Sequence, residues 1–157
     1  MPRLNLRPVE RGDLDVFFEH IQDPVAVWMA AFTPADPSDR EAFEAHWDRL
    51  LTDDTIIKRT IEDDDHIVGH IASFDMLGDR EVTYWIDRAA WGRGMATEAL
   101  RQFLDIDDAR PIYGRAAADN AGSIRTLEKC GFVIVEQTRG FATARNEEVD
   151  EVVLRVG

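Results

Sequence analysis

The sequence feature that most restricts the fold is residues 91–100, where a strand pattern gives way to a helix pattern across two glycines. This segment reads Trp-Gly-Arg-Gly-Met-Ala-Thr-Glu-Ala-Leu. Before it, residues 82–87 alternate between two sets and are rich in β-branched and aromatic side chains, which is typical of a half-buried strand. After it, apolar residues recur every three or four positions over residues 95–106, as in an amphipathic helix. The sequence therefore predicts a strand that leads directly into a helix.

The junction between this strand and this helix has the properties of an anion-binding turn. The first N–H groups of a helix lack intrahelical partners, and the aligned peptide dipoles add about half a positive charge. Gly92 and Gly94 permit unusual backbone angles and a close approach of a ligand. The segment lacks the Gly-Lys-Ser/Thr ending of a nucleotide P-loop, and Thr97 replaces the third glycine of the dinucleotide fingerprint. The turn predicts a phosphate site, with ATP and NAD disfavoured.

A second motif follows at residues 120–132, which read Asn-Ala-Gly-Ser-Ile-Arg-Thr-Leu-Glu-Lys-Cys-Gly-Phe. We expect a short helix with Asp119 or Asn120 as its N-cap and Gly131 as a left-handed C-cap, after which Phe132 returns to the core. Taken alone, the motif predicts only a well-capped helix.

Together the two motifs resemble the GNAT superfamily of N-acyltransferases. Its pyrophosphate loop for acyl-CoA has the pattern Arg/Gln-x-x-Gly-x-Gly/Ala, from which this chain departs by carrying Trp91 at the first position. The Trp-Gly pair, the Ala-Thr-Glu-Ala run and the second motif are similar to the branch that contains the ribosomal-protein N-terminal acetyltransferases. The resemblance covers most of the chain and is specific mainly over residues 81–132.

Length and composition limit the organisation of the chain and its partners. With 157 residues and 45% hydrophobic content, we expect residues 1–157 to form a single domain. The formal net charge of −13 disfavours nucleic acid and anionic membranes as partners. The acidic surface either attracts a cationic amine or serves only to keep the protein solvated. No signal peptide or membrane span is expected. The single cysteine, Cys130, fits a reducing cytoplasm and is interpreted as a small core residue.

The remaining patterns predict an α/β (α+β) domain with the element order βααβββαβαββ. The expected elements are a strand near Leu4, helices over 11–22 and from Ser38 onward, strands over 55–61, 66–74, from 81, and over 111–118, and a hairpin of 132–135 with 149–154, linked by the polar stretch 139–146. This order agrees with the GNAT fold: a mixed, mostly antiparallel sheet with a central splayed parallel strand pair, flanked by helices.

The resemblance implies that acetyl-CoA is the co-substrate, and no metal is expected. Its pyrophosphate would lie on the loop, and its pantetheine arm would lie between the splayed strands with Asn120 as a contact. Arg93 and Arg125 either add charge near the phosphates or are solvated. The implied cofactor-binding residues are Trp85, Ile86, Asp87, Gly92, Arg93, Gly94, Met95, Ala96, Thr97, Asn120 and Arg125.

The resemblance also implies the groups that would move protons. Many family members use a tyrosine as proton donor, but Leu127 stands at that position, so Ser123 is the candidate unless it is an ordinary helix serine. Glu81, at the start of the strand that leads to the loop, is the candidate base unless it is a surface glutamate or the base is water. His70 and Asp75, on the preceding strand, are the next candidates for the base.

Trp28, Phe32 and Trp47 either shape the acceptor pocket or pack in the core. The expected activity is acetyl-CoA-dependent N-acetylation of a primary amine, on a protein N-terminus or a small molecule, by direct attack. The alternative is a binding module: a catalytically inactive acyl-CoA sensor or a partner subunit. The resemblance also suggests a homodimer.

Overall fold

The computed structural model of the protein describes residues 4–157, which form one mixed sheet with helices on both faces. The strands are β1 (Leu4–Pro8), β2 (Ile57–Asp63), β3 (His66–Met76), β4 (Asp79–Ile86), β5 (Ile112–Ala117), β6 (Val133–Ala142) and β7 (Glu147–Val156). The helices are α1 (Leu14–His20), α2 (Pro24–Ala30), α3 (Arg40–Thr52), α4 (Met95–Ile106) and α5 (Ala121–Lys129). Three short 3₁₀ turns precede α1, α4 and β7.

The sheet confirms the predicted splayed strand pair. Its order is β1-β2-β3-β4-β5-β7-β6, and all neighbours are antiparallel except β4 and β5. The parallel register of β4 and β5 consists of Arg80 opposite Ile112 and Glu81 opposite Tyr113. Beyond these two pairs the strands diverge, so the second half of β4 has no strand partner on that side. A gap therefore opens in the middle of the sheet.

Two layers of helices cover the two faces of the sheet. The larger core joins α4 and α5 to the sheet around fully buried Leu100, Phe103 and Leu127. On the opposite face, α1 and α3 contribute a second cluster around Phe17 and Trp47. The amphipathic pattern of residues 95–106 thus correctly predicted the central helix.

One helix was absent from the predicted order. Residues 24–30 form α2, because Asp23 accepts a hydrogen bond from the Val25 N–H at 2.9 Å and Pro24 occupies the first turn. The Asp-Pro pair therefore begins a helix, where the sequence analysis assigned no element to the apolar stretch. The observed order is βαααβββαβαββ.

Other boundaries also differ from expectation. Asp39, and not Ser38, caps α3 through a 3.0 Å bond from the Ala42 N–H. The predicted helix over 11–22 is a 3₁₀ turn followed by α1. The hairpin strands β6 and β7 are both longer than predicted, and β6 includes the first half of the polar stretch 139–146. No helix within residues 4–157 has the length and apolar character needed to cross a membrane.

Candidate functional site

A cavity of about 580 Å³ lies where β4 and β5 diverge. Its wall is formed by the end of β4, the loop that leads into α4, the first turns of α5 and one side of α2. The sequence-predicted residues on this wall are Trp85, Ile86, Gly92, Gly94, Met95, Ala96, Thr97, Asn120, Ser123 and Arg125. The structure therefore brings together residues from two motifs that are about 30 positions apart in the chain.

The N-terminus of α4 has no side-chain cap, in contrast to those of α2, α3 and α5. Asp23, Asp39 and Asn120 cap α2, α3 and α5 with side-chain oxygens. At α4 the N-cap residue is Gly94, which has no side chain to do so. The helical ladder begins with the Glu98 N–H, which donates to Gly94 O at 3.1 Å. The N–H groups of the first turn therefore remain available at the positive end of the helix dipole, beside the cavity.

The two loop glycines keep the space in front of this helix open. Gly92 and Gly94 have φ of +79° and +74°, in the left-handed region. A Cβ built on either residue would have no heavy atom within 4 Å, so no protein atom fills the space that a ligand would approach. The loop thus fits a phosphate group, which needs N–H donors and room for close approach.

Trp91, the residue that departs from the family pattern, braces the loop. Its indole Nε1–H donates to Ile86 O at 3.0 Å, which ties the loop back to the end of β4. Trp91 is therefore a structural anchor of the loop and lies on the cavity wall. The sequence analysis gave it no role.

Helix α5 carries the polar and basic groups of the opposite wall. Asn120 Oδ1 accepts from the Ser123 N–H at 3.2 Å, so its amide N–H groups are left for a ligand. Arg125 and Lys129 both line the cavity. Sequence reasoning missed Lys129, although its position four residues after Arg125 indicates that both side chains share one helix face.

Two hydroxyl groups meet on the cavity wall. Tyr84 Oη lies 3.0 Å from Ser123 Oγ and 3.4 Å from the Ser123 carbonyl oxygen. Burial raises the pKa of Tyr84 to about 12. Leu127, which occupies the family's tyrosine position, is instead buried against Gly114 of β5. Sequence reasoning used Tyr84 only as a strand residue.

The neighbouring strand residue Trp85 offers an unpaired donor. Its Nε1 is buried and has no hydrogen-bond partner among residues 4–157, and the residue is part of the cavity wall. A buried N–H without a partner costs about 1–3 kcal/mol.

Helix α2 covers the cavity and is held in place by Arg145. Met29 lines the cavity, whereas Trp28 lies outside it, with the Arg145 guanidinium 3.8 Å from its ring centroid. Arg145 also donates to Trp28 O at 2.9 Å and to both carboxylate oxygens of Asp119, at 2.6 and 2.9 Å. The Arg145 guanidinium lowers the pKa of Asp119, a cavity residue. Arg145 thus links α2 to the start of α5.

The aromatic residues proposed for the acceptor pocket lie elsewhere. Trp47 is 3% exposed and packs against Phe17 in the second core cluster. Phe32 lies over Gly140 of β6, 3.4 Å from a Cβ built there. The helical region does reach the cavity, through Met29 and the small residues Ala26 and Ala30.

Asp87 and Arg93 are not part of the cavity wall. The Asp87 N–H donates to Val68 O at 2.7 Å, and its side chain faces a separate polar crevice of about 530 Å³ beside His20. This N–H is therefore not available to a pantetheine arm. Arg93 is exposed on the loop.

Glu81 also lies outside the cavity wall. It is 8% exposed, and its Oε1 accepts from Arg115 Nε at 2.8 Å. Of the next candidates for the base, His70 packs between Phe17 and Trp47, and burial lowers its pKa to about 3. Asp75 is exposed and pairs with Arg80.

Within the described chain, no group of three or more His, Cys, Asp and Glu side chains is arranged to hold a metal ion. Cys130 Sγ lies 3.5 Å from Thr97 O and is half-buried between α5 and the start of α4. Burial raises the pKa of this thiol. The cysteine is therefore a packing residue of the helix pair.

Known proteins share both the sequence pattern and the fold. The acetyltransferase (GNAT) domain model matches residues 3–133. An uncharacterized N-acetyltransferase p20 from Bacillus licheniformis is 27% identical over 163 residues, which cover 94% of this chain and 89% of that protein.

Two solved structures have the same architecture. Spermidine N-acetyltransferase from Vibrio cholerae, in complex with CoA and spermine, has a TM-score of 0.84 at 20% identity and covers 98% of this chain and 95% of its own. Mycobacterium smegmatis RimJ, in complex with CoA-disulfide, has a TM-score of 0.81 at 19% identity, with 98% and 81% covered. With the uncapped helix, the glycine loop and the splayed strands, these matches lead to one conclusion: the chain belongs to the GNAT acetyltransferase family.

Proposed function

We propose that the protein transfers the acetyl group of acetyl-CoA to a primary amine by direct attack of the amine. The observation that carries this proposal is the uncapped N-terminus of α4, which follows an open glycine loop and faces a cavity in the sheet gap. CoA is present in the two structural neighbours described above. An anion site next to a long internal gap suits a ligand with a pyrophosphate and an extended arm.

The N–H groups from Gly92 to Thr97 would hold the pyrophosphate, with Arg93 at the exposed side of the loop and Arg125 and Lys129 adding positive charge. Trp85, Ile86 and Asn120 would contact the pantetheine arm. The Ile86 carbonyl already accepts from Trp91, so it has one lone pair left for the arm. Asp87 is left out of this assignment, because it lies outside the cavity wall, its N–H donates to Val68 O at 2.7 Å and its carbonyl accepts from the Ala90 N–H at 2.8 Å.

Acetyl-CoA supplies a thioester, an activated acyl group that a neutral amine can attack. The protein must orient the two reactants, exclude water and provide a proton for the departing sulfur. Ser123 is the proposed proton donor, because it carries a hydroxyl group and lines the cavity beside the sheet gap. Asp119 lines the cavity but is held as a carboxylate by Arg145, and its lowered pKa makes it a weak base.

For the base, Glu81 has at most an indirect role in this proposal. Its carboxylate is engaged by Arg115 and lies outside the cavity wall, so the ammonium proton would reach it only through water. A Glu81→Gln variant tests this role. Loss of activity with an altered pH profile would support Glu81, and an unchanged profile would leave water as the base.

The proposed acceptor is a primary amine on a small molecule or a protein N-terminus. The spermine bound to the Vibrio cholerae enzyme is one example of such an amine, and the resemblance to the ribosomal-protein N-terminal acetyltransferase branch suggests the second class. The net charge of −13 favours the approach of either cation.

The first experiment measures Tm with and without acetyl-CoA. At about 100 times its Kd, a ligand that binds only the native state adds about 2.7 kcal/mol, which is about 5–11 °C for a chain of this size. A panel of amines is then assayed for release of free thiol. A Tm shift with thiol release supports the transferase, and a Tm shift without release supports the binding module. No shift with millimolar acetyl-CoA would contradict both.

Self-association stays a prediction. The outer edge strand β6 exposes Val133, Ile134 and Val135, which are 59%, 49% and 44% exposed. This edge is the surface that a second copy would cover in the predicted homodimer. The molar mass measured by light scattering, for the wild type and for Ile134→Lys, tests the arrangement.

A further inference from the structure

The site contains a tyrosine that contacts Ser123 of α5, but this tyrosine, Tyr84, comes from strand β4. Position 127, where many family members carry the tyrosine donor, is filled by a leucine that is 1% exposed. The Tyr84 side chain comes from the strand side of the gap and brings its hydroxyl to 3.0 Å from Ser123 Oγ. Both residues line the cavity.

Which of the two hydroxyl groups donates in this contact decides whether the Ser123 proton is free for a ligand. A serine hydroxyl has one proton and can accept two hydrogen bonds. If Ser123 donates to Tyr84, its proton is turned away from the cavity. If Tyr84 donates to Ser123 Oγ, the serine proton is free to point at a ligand atom.

Two observations favour donation from Tyr84. The Ser123 carbonyl oxygen, which can only accept, lies 3.4 Å from Tyr84 Oη, so the phenol proton is directed at Ser123, and the shorter distance of 3.0 Å to Oγ makes the serine hydroxyl its nearer acceptor. Burial keeps the phenol protonated well above neutral pH, since its pKa is about 12. Tyr84 therefore retains its proton whenever an amine substrate is bound at neutral pH.

We infer that Tyr84 is a positioning residue, whose hydroxyl holds Ser123 Oγ so that the serine proton faces the sulfur that leaves during acetyl transfer. This inference rests on the proposed function. When the C–S bond breaks, its electron pair stays on sulfur and the Ser123 proton moves to that sulfur. Ser123 regains a proton by way of Tyr84 and water. The ammonium nitrogen loses two protons in forming the amide: one balances the proton on sulfur and the other goes to solvent.

The test is a double-mutant cycle with Tyr84→Phe, Ser123→Ala and the combined variant, measured by thiol release with the best amine of the panel. Phenylalanine keeps the ring and removes only the hydroxyl. The matched control is Tyr113→Phe, because Tyr113 is the other tyrosine of the chain and lies outside the cavity wall. Each variant is also measured for Tm and for acetyl-CoA Kd.

We expect Tyr84→Phe to lower kcat about 10-fold, as one lost hydrogen bond allows, while Tm, the acetyl-CoA Kd and the Tyr113→Phe control stay near wild type. Ser123→Ala should lower kcat about 100-fold. The double variant should match Ser123→Ala, because Tyr84 acts only through Ser123.

Three outcomes would overturn the inference. An unchanged kcat in Tyr84→Phe, whether or not Tm falls, would mean that the contact only joins β4 to α5 and has no part in the reaction. Multiplicative losses in the double variant would mean that Tyr84 acts independently of Ser123. A wild-type protein that binds acetyl-CoA but releases no thiol with any amine would refute the proposed function and, with it, this inference.

Discussion

Replacing Gly94 with alanine tests the anion-binding loop at the residue that begins α4. Gly94 has φ +74° and ψ 9°, and an added Cβ would have no heavy atom within 4 Å. An alanine therefore clashes with no protein atom, and its cost is that of a left-handed backbone, about 1–2 kcal/mol. For a chain of 157 residues this corresponds to a Tm lowered by about 2–8 °C.

The same methyl group occupies the space that a pyrophosphate would approach. Loss of one hydrogen bond to a charged group costs about 1.5–3 kcal/mol, which weakens acetyl-CoA binding by about 10-fold to 100-fold. Isothermal titration calorimetry measures this Kd directly. The expected result is a Tm loss combined with a weaker Kd.

Gly78→Ala is the matched control for this variant. Gly78 has φ +91° and open space around its Cβ position, but it lies in the turn between β3 and β4, outside the cavity wall. It should lose similar stability and keep the wild-type Kd. If Gly94→Ala also kept the wild-type Kd, the loop would be only a turn between strand and helix.

Three further predictions concern groups around the site. Arg145→Lys removes the two hydrogen bonds to Asp119 and the contacts with α2, so we expect about 1–2 kcal/mol less stability and a higher KM for the amine. Arg139→Lys, on the exposed hairpin, is the control. An equal loss of stability in that variant would contradict the prediction. The folded-state pKa of His70, about 3, lies below the unfolded value of 6.5, so its contribution to stability is full above pH 6.5 and is lost as pH falls toward 3, by at most about 1.4 kcal/mol per pH unit. The free energy of unfolding, measured with urea at pH 7 and at pH 5, should fall less between these two pH values for His70→Leu than for the wild type, with exposed His66→Gln as the control substitution. Glu81→Gln, whose carboxylate is paired with Arg115, should lower kcat less than Ser123→Ala in the thiol-release assay; a larger loss would favour Glu81 as the base.

The parts of the fold that follow from local pattern were predictable. Residues 82–86 and 95–106 carry full strand and helix periodicity, and both elements formed within a few residues of expectation. The resemblance added the splayed pair, which periodicity alone does not contain. Helix α2 was missed because its seven residues, Pro-Val-Ala-Val-Trp-Met-Ala, show no polar face. Its start signal, Asp23 as a cap followed by a first-turn proline, was not used to assign an element.

The parts of the site that depend on distant contacts were not predictable. Arg145 contacts Trp28 across 117 positions, and no local pattern indicates such a partner. Tyr84 meets Ser123 across 39 positions; the strand pattern gave the face of Tyr84 but not the neighbour of its hydroxyl. The long strand β6 was predicted short, because an edge strand exposed along most of its length needs no alternation of apolar and polar residues.

The divergence of β4 and β5 places two unpaired strand edges inside the sheet instead of at its rim. The open edge of β6 can be reached by any extended chain, but the inner edges lie between helices α4 and α5 on one face and α2 on the other. These inner edges carry backbone N–H and C=O groups that no strand pairs, and in the proposed function the amide groups of the pantetheine arm would complete the interrupted ladder there. The same kind of edge that leaves β6 open to another chain is thus enclosed by helices in the middle of the sheet.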